Sequence, residues 1–277
     1  MRLKAIIFDW TGTAVDFGSK CAQEAIQAAF QAEGVVVTEQ YLSQCHDVPA
    51  SKEISAILAL TEVTAQWQAS HGRLPDDRNA VEISQRTEQH LLDHLTQAAT
   101  PTPWLVQTLQ LLKQRGLKIG SSTDCTSRIM ERLALLAAEK GFTPDFWVAA
   151  DQVPQGRPWP WMIFKNLEYL QICPPALTVN VGDTIADVEA ANNAGAWSVA
   201  VLESSRLVGR SQPALEALPA KNRKLILQQA SHQLAQAGAH VVIKNLSELP
   251  AAMDQIEKRL LNGMLPPQLA RHRKVEL

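Results

Sequence analysis

Short apolar runs recur along the chain, and most end at a glycine, a hydroxyl residue or an aspartate. The first is Ala-Ile-Ile-Phe at residues 5–8, directly before Asp9. Runs of this length are typical of strands that are buried on both faces of a parallel sheet. The pattern therefore predicts six strands, at residues 5–8, 117–123, 146–150, 177–181, 197–201 and 240–243.

Between these runs the apolar residues recur at helical spacing. Thr102 and Pro103 predict a helix start, with leucines at 105, 109 and 112 on one face. Two further helices are predicted at residues 127–140 and 185–194, each followed by a glycine. Strands that alternate with helices predict a doubly wound, parallel α/β sheet, whose ligands bind at the carboxyl ends of the strands.

One long stretch interrupts this alternation. Residues 17–100 show only helical periodicity, which predicts a helical cap domain inserted after the first strand. The α/β core domain then comprises residues 1–16 and 101–263, and residues 264–277 form a tail without periodicity. Hinges are expected near Phe17-Gly18 and Thr100-Pro101.

Composition and charge exclude several classes of function. The 277 residues carry 26 Lys and Arg against 28 Asp and Glu, a formal net charge of −2. A balance near zero argues against a nucleic-acid or membrane-surface binder, which would need a basic excess. No apolar stretch reaches the roughly 18 residues of a membrane-spanning helix, and the apolar run at the amino terminus is too short for a signal peptide. We therefore expect a cytoplasmic protein.

Four polar elements lie at predicted strand ends or just before a helix. Asp9 and Thr123 each close a strand, and Arg157 stands in a proline-rich segment. Asp183 follows another strand, with Asp187 in the first turn of the next helix. A carboxylate at a strand end can act as a nucleophile, a guanidinium suits phosphoryl oxygens, and grouped carboxylates suit Mg²⁺. Each element alone is equally compatible with a turn, a cap or a surface loop.

Taken in this order, the four motifs resemble those of the haloacid dehalogenase superfamily over nearly the whole chain. Within it, several segments resemble the phosphonoacetaldehyde hydrolases, or phosphonatases. The most specific of these segments is Gly-Arg-Pro-Trp-Pro-Trp-Met at 156–162. The matching segments are residues 7–18, 120–123, 144–146, 156–162, 181–184 and 237–240.

The resemblance implies a reaction, hydrolysis of phosphonoacetaldehyde to acetaldehyde and phosphate. Asp9 would attack phosphorus and form an aspartyl phosphate, while Thr123 and Arg157 would hold phosphoryl oxygens. The resemblance also implies Mg²⁺, held by the carboxylates of Asp9 and Asp183 and the backbone carbonyl of Thr11. Asp187 would orient the metal's surroundings.

Thr11 bears on the type of reaction. Phosphatases of this superfamily usually carry a second aspartate two residues after the nucleophile, to protonate a departing alkoxide. Phosphonatases instead use a cap lysine that forms a Schiff base with the aldehyde. The lysines of residues 17–100 are Lys20 and Lys52. We assign this role to Lys52, although aligning it with the catalytic lysine of the family requires a short insertion in the preceding loop. Asp124, where glycine is usual, would repel a phosphonate unless it turned away.

Two alternatives remain open. A Mg²⁺-dependent phosphatase or phosphotransferase for small phosphate esters would keep Asp9, Arg157 and Asp183 and need no lysine. A non-catalytic binding protein on the same fold is disfavoured by the intact motifs. His46 and His90 are candidates for proton transfer by location alone. The expected partner is a small phosphonate or phosphate substrate, with no nucleic acid and no membrane, and the resemblance suggests a homodimer.

Overall fold

A six-stranded parallel sheet forms the centre of the protein. The computed structural model describes residues 2–45, 48 and 50–266. Each of the six predicted strands is present within one or two residues of its expected position. The strands are β1 (Ala5–Asp9), β2 (Lys118–Thr123), β3 (Phe146–Ala149), β4 (Thr178–Gly182), β5 (Trp197–Val201) and β6 (Val241–Ile243).

The strand order is β3-β2-β1-β4-β5-β6. The chain moves outward from β1 to one edge and then returns to the other side, so β1 lies between β2 and β4. Asp9 pairs in register with Ser122 of β2, and Phe8 pairs with Val181 of β4. The carboxyl ends of these three strands therefore meet at one place, the switch point where such folds bind their ligands.

The helices fall into two groups, those of residues 17–100 and those that pack on the two faces of the sheet. They are α1 (Lys20–Gln31), α2 (Glu39–Ser43), α3 (Ala50–Leu58), α4 (Thr61–His71), α5 (Asp77–Asp93), α6 (Leu95–Ala98) and α7 (Leu105–Gln114). They continue with α8 (Ser127–Glu139), α9 (Trp161–Leu170), α10 (Ile185–Ala194), α11 (Gln212–Glu216), α12 (Ala220–Gln236) and α13 (Leu249–Leu261). None of these helices combines the length and apolar surface needed to cross a lipid bilayer.

The alternation of side chains along β1 divides the core into two layers. Ile6 and Phe8 pack with apolar residues of α7, α8 and α13. Ile7 points the other way and packs with residues of α9 and α10. Successive side chains of a strand point to opposite faces, so a fully apolar β1 requires helices on both sides. The predicted doubly wound α/β fold is confirmed.

Residues 17–100, the helical insert, contain α1 to α6 and no strand among their described residues. Residues of α1, α3, α4 and α5 share an apolar cluster of their own, centred on Phe30, Ile57 and Trp67. Leu92 and Leu95, near the end of the insert, join the cluster of the sheet instead. The insert leaves and re-enters the sheet region at adjacent points, because Val15 and Pro101 form an isolated antiparallel bridge.

The predicted start of α7 is wrong by two residues. Thr102 does not cap the helix, because its hydroxyl donates to the Thr13 carbonyl at 2.6 Å. Trp104 then adopts a left-handed conformation, and the helix begins at Leu105. The tertiary contact with Thr13 takes the hydroxyl that the local pattern assigned to the cap. Of the predicted tail at 264–277, residues 267–277 lie outside the described part of the chain.

Candidate active site at the carboxyl edge of the sheet

Three aspartates meet where β1 and β4 end. Asp9 is the last residue of β1, Asp183 follows β4, and Asp187 lies in the first turn of α10. One carboxylate oxygen from each lies within 4.8 Å of the others, and all three side chains are buried. We call these residues the acidic cluster. The structure thus brings together three residues that the sequence analysis singled out.

Local geometry fixes Asp187 beneath the end of β4. Thr184 caps α10: its hydroxyl accepts from the backbone N–H of Asp187 and donates to the Asp187 carboxylate at 2.6 Å. The carboxylate also accepts from the backbone N–H of Thr184. A Cβ on Gly182 would lie 2.3 Å from the Asp187 side chain, so only glycine leaves room for this arrangement.

The Arg157 guanidinium neutralises part of the acidic cluster. Its nitrogens lie 2.7 Å from Asp9 Oδ1, 2.8 Å from Asp187 Oδ1 and 2.9 Å from Asp124 Oδ2. Nη2 also donates to the carbonyl and hydroxyl of Ser122, both at 2.9 Å. Arg157 is only 7% exposed, and each of its three nitrogens lies within 2.9 Å of a carboxylate oxygen. Its assignment to a phosphoryl oxygen stays a prediction.

Asp124 turns toward Arg157 rather than away from the site, and its charge is among those that raise the pKa of Asp9. The carboxylate shares the guanidinium with Asp9 and Asp187 and is about one-third exposed. Thr123, at the end of β2, is buried, and its hydroxyl accepts the backbone N–H of Cys125 at 3.1 Å. The hydroxyl proton of Thr123 is thereby directed away from that contact and can be donated to a ligand.

One guanidinium does not balance the carboxylates around it. Burial raises the pKa of Asp9 well above its usual value; Arg157 opposes this, and the neighbouring Asp187 and Asp183 add to it. Burial, followed by the charge of Asp187, raises the pKa of Asp183 to about 7. Hydrogen bonds from the backbone N–H of Arg206 and the Thr13 hydroxyl act in the opposite direction. The acidic cluster therefore has excess negative charge that a cation would stabilise.

The donor set fits Mg²⁺, which prefers carboxylate and carbonyl oxygens. Thr11 belongs to the turn that follows Asp9, and Gly12 in that turn has a φ of 84°. A Cβ on Gly12 would lie 2.6 Å from Asp183 Oδ2, so the Thr11–Gly12 turn packs directly on that carboxylate. Asp9 and Asp183 could thus hold the ion, and the Thr11 carbonyl as a further ligand stays a prediction.

The assignment of Lys52 as the imine-forming lysine stays a prediction. Its side chain is exposed on the first turn of α3. The next residue, Glu53, is buried and forms an ion pair with the Arg206 guanidinium. Lys20, the other lysine of the insert, contacts Glu39 at 2.7 Å. Consecutive helical residues differ by about 100° in direction, which separates Lys52 from Glu53.

Sequence reasoning missed Glu53 and Arg206. The backbone N–H of Arg206 donates to Asp183 Oδ2 at 2.7 Å, and the Ser205 hydroxyl donates to the Asp183 carbonyl at 2.7 Å. Ser205 and Arg206 lie in the loop after β5. A loop at the carboxyl end of a parallel strand is a signal that could have identified Arg206. His90 is half-buried on α5, and His46 lies outside the described residues.

Comparisons with known proteins agree with this geometry. A family model for haloacid dehalogenase-like hydrolases matches residues 3–195. A phosphonoacetaldehyde hydrolase of Bacillus cereus is 34% identical over 261 residues, covering 94% of this chain and 99% of the relative.

Two further proteins extend these similarities. A bifunctional phosphonoacetaldehyde hydrolase/aminoethylphosphonate transaminase of Clostridioides difficile is 34% identical over 267 residues. The match covers 96% of this chain but 42% of that longer protein. The crystal structure of a phosphonoacetaldehyde hydrolase-like protein from Oleispira antarctica superposes with a TM-score of 0.91 at 27% identity, covering 96% of each chain.

Proposed function

The chain belongs to the haloacid dehalogenase-like hydrolase family, and on that premise we propose that it hydrolyses the carbon–phosphorus bond of phosphonoacetaldehyde to acetaldehyde and phosphate. The observation that carries the proposal is the Asp9 carboxylate at the end of β1, 2.7 Å from Arg157 and beside Asp183. This arrangement suits attack on a phosphoryl group. The similarity to phosphonoacetaldehyde hydrolases supports the choice of substrate.

Asp9 is the proposed nucleophile. One of its carboxylate oxygens forms a bond to phosphorus while the carbon–phosphorus bond breaks, which gives an aspartyl phosphate. Water then hydrolyses the aspartyl phosphate and restores Asp9. The Thr123 hydroxyl and Arg157 hold phosphoryl oxygens in line for attack, and Arg157 also holds Asp9 in place. Bound at Asp9, Asp183 and the Thr11 carbonyl, Mg²⁺ would neutralise the charge of the phosphonate. Asp187 keeps Arg157 and the end of β4 in position.

The leaving electron pair needs an acceptor on the substrate. In the proposed mechanism Lys52 forms an imine with the aldehyde, releasing water, and the protonated imine accepts the electron pair as an enamine. Protonation of the enamine on carbon and hydrolysis of the resulting imine by water then release acetaldehyde and restore Lys52. Lys52 is exposed on the first turn of α3, which leaves its amine accessible to an aldehyde. We also propose that residues 17–100 act as a cap that closes over the core of 1–16 and 101–263 and excludes water. Assembly as a homodimer stays a prediction.

A second candidate is hydrolysis of a small phosphate ester. The observation that favours it is the position of Lys52 in solvent while Glu53 reaches the core. An ester leaves as an alkoxide, so this reaction needs no imine, and Asp9, Arg157 and Asp183 would act as above.

Borohydride trapping distinguishes the two reactions. The protein is incubated with Mg²⁺ and phosphonoacetaldehyde, reduced, and mapped by peptide mass, while phosphate release is followed without borohydride. An adduct on Lys52, together with phosphate release, is the expected result, and it should be lost in K52R and kept in the matched variant K20R. No adduct and no phosphate release, with turnover of phosphate esters, would overturn the proposal in favour of the second candidate.

A further inference from the structure

A buried ion pair joins the helical insert to the loop after β5. Glu53 of α3 contributes a carboxylate whose side chain is 7% exposed, and Arg206 contributes a guanidinium whose side chain is 19% exposed. We call this contact the insert–core pair. A buried carboxylate is retained in a fold only when it is paired or hydrogen-bonded, so Glu53 has a specific reason to lie here.

Arg206 connects the insert–core pair to the acidic cluster. Its backbone N–H donates to Asp183 Oδ2 at 2.7 Å. The residue whose side chain pairs with Glu53 is thus hydrogen-bonded through its backbone to a candidate metal ligand. Ser205 holds the same loop in place by donating to the Asp183 carbonyl at 2.7 Å. The insert–core pair is therefore next to the site at which Asp9 acts, on the side of the helical insert.

One donor of Arg206 has no acceptor. Its Nε is buried and has no hydrogen-bond partner among the described residues, whereas a terminal nitrogen contacts Glu53. Burial raises the pKa of the Cys45 thiol, the charge of Glu53 raises it further, and the charge of Arg206 lowers it. Cys45 is therefore near both members of the insert–core pair. A buried N–H without an acceptor is rare in native proteins and indicates a ligand or an ordered water.

We propose that the insert–core pair recognises the end of the substrate that does not carry phosphorus. Glu53 is a positioning residue that fixes the guanidinium, and Arg206 Nε–H donates to an oxygen of the substrate, such as the carbonyl oxygen of an aldehyde before it reacts. The ligand class is a small phosphonate or phosphate with an acceptor oxygen one or two carbons from the phosphoryl group. The inference rests on the proposed function for its choice of site, and both candidate reactions use such substrates.

The test measures binding without turnover. Calorimetry with Mg²⁺ compares phosphonoacetaldehyde with ethylphosphonate, which has the same carbon chain but lacks the carbonyl oxygen. The protein carries D9N together with K52R, so that the aldehyde forms no imine with residue 52, and D9N denotes this background in the binding tests that follow. We expect about a tenfold or greater preference for phosphonoacetaldehyde, as a hydrogen bond from a charged donor provides. R206M and E53Q in the D9N background should abolish the preference while leaving ethylphosphonate binding unchanged.

Controls separate recognition from folding. R115M breaks an ion pair between Arg115 and Asp254 on the far side of the core, and E33Q breaks one inside the insert. Both should keep the preference. E53D should recover part of it, since aspartate retains the charge, and thermal unfolding reports whether each variant is folded.

Two results would overturn the proposal. One is the absence of any preference in D9N itself, and the other is an equal loss of affinity for both ligands in R206M and E53Q. Failure of the proposed function looks different. In that case the otherwise unmodified protein releases no phosphate from phosphonoacetaldehyde, yet D9N still prefers the ligand with the carbonyl oxygen and R206M does not.

Discussion

The acidic cluster and the insert–core pair are both buried groups of charges, but they are assembled differently. Asp9 and Asp183 extend from neighbouring strands of one sheet, whose register fixes their separation. Glu53 and Arg206 come from two parts of the protein that are joined through the segments near Val15 and Pro101. The comparison teaches that the register of one sheet places the carboxylates of the acidic cluster, whereas the contact next to them depends on how the insert packs against the core.

The two sites also differ in charge balance. At the sheet edge, Arg157 faces the carboxylates of Asp9, Asp187 and Asp124, which leaves excess negative charge. The insert–core pair has one carboxylate and one guanidinium. A divalent cation would neutralise the excess negative charge at the sheet edge, whereas the insert–core pair is already neutral and needs no cation.

The largest expected effect is the loss of activity in D9N. The amide is nearly the same size as the carboxylate but cannot form an acyl phosphate, so phosphate release should fall by about 10³-fold or more. The measurement is phosphate release at saturating substrate and Mg²⁺, with circular dichroism to show that the fold is kept. Activity within tenfold of the original protein would remove Asp9 from the role of nucleophile.

R157M should have the largest effect on stability. Removing the guanidinium leaves the carboxylates of Asp9 and Asp187 buried without a counter-ion, which costs about 3–5 kcal/mol in the free energy of unfolding. Urea unfolding of the metal-free protein measures this loss. Mg²⁺ should recover part of it, since the ion would bind the carboxylate of Asp9. Equal losses with and without Mg²⁺ would contradict a metal site at the acidic cluster.

D183N should stabilise the metal-free protein. The pKa of Asp183 rises from 3.8 to about 7 on folding. Between these values the folded chain binds a proton that the unfolded chain has lost, so stability falls as pH rises from about 4 to about 7. D183N removes this dependence and should gain about 2–4 kcal/mol at pH 8, at the expense of Mg²⁺ binding.

Chemical unfolding of the metal-free protein across pH 4 to 8 measures this change, with D254N as the control because Asp254 lies on the surface opposite Arg115. A stability that rises with pH through the window in the protein with Asp183, or that falls equally in D183N, would contradict the assignment.

The smallest expected effect is that of R86Q, which breaks an ion pair inside the helical insert. Arg86 is half-exposed and lies 2.5 Å from Glu33, so solvent screens the pair. The free energy of unfolding should change by less than about 1 kcal/mol, and activity should not change. A loss of unfolding free energy close to that of R157M would show that burial does not explain why the two ion pairs differ in their contribution to stability.

Much of the fold follows from local patterns. A strand buried on both faces of a parallel sheet is mostly apolar, so β1 is visible as a continuous apolar run before Asp9, and β4 and β5 as short, mainly apolar runs. Asp9 ends the first of these runs and Asp183 follows the run of β4. Because β1 and β4 are neighbours in the sheet, the two aspartates lie close together. The resemblance to haloacid dehalogenases and phosphonoacetaldehyde hydrolases, inferred from the motifs, is confirmed by the comparisons.

Other features depended on contacts between distant segments. The start of α7 was misplaced because Thr102 bonds to Thr13, which is 89 residues away. The orientation of Asp124 depended on Arg157, and the significance of Arg206 depended on Asp183 and Glu53. No local pattern contains these partners.

The sequence by itself determined the α/β sheet, the helical insert and the residues that form the acidic cluster, because strand burial and strand ends leave a periodic record in the chain. Only the tertiary structure decided that Glu53 rather than Lys52 meets the core in this conformation. The two residues are adjacent in sequence and both suit a helix start. The rotation of the helix points the two side chains in directions about 100° apart. The packing of α3 on its neighbours decides which of the two side chains faces the core.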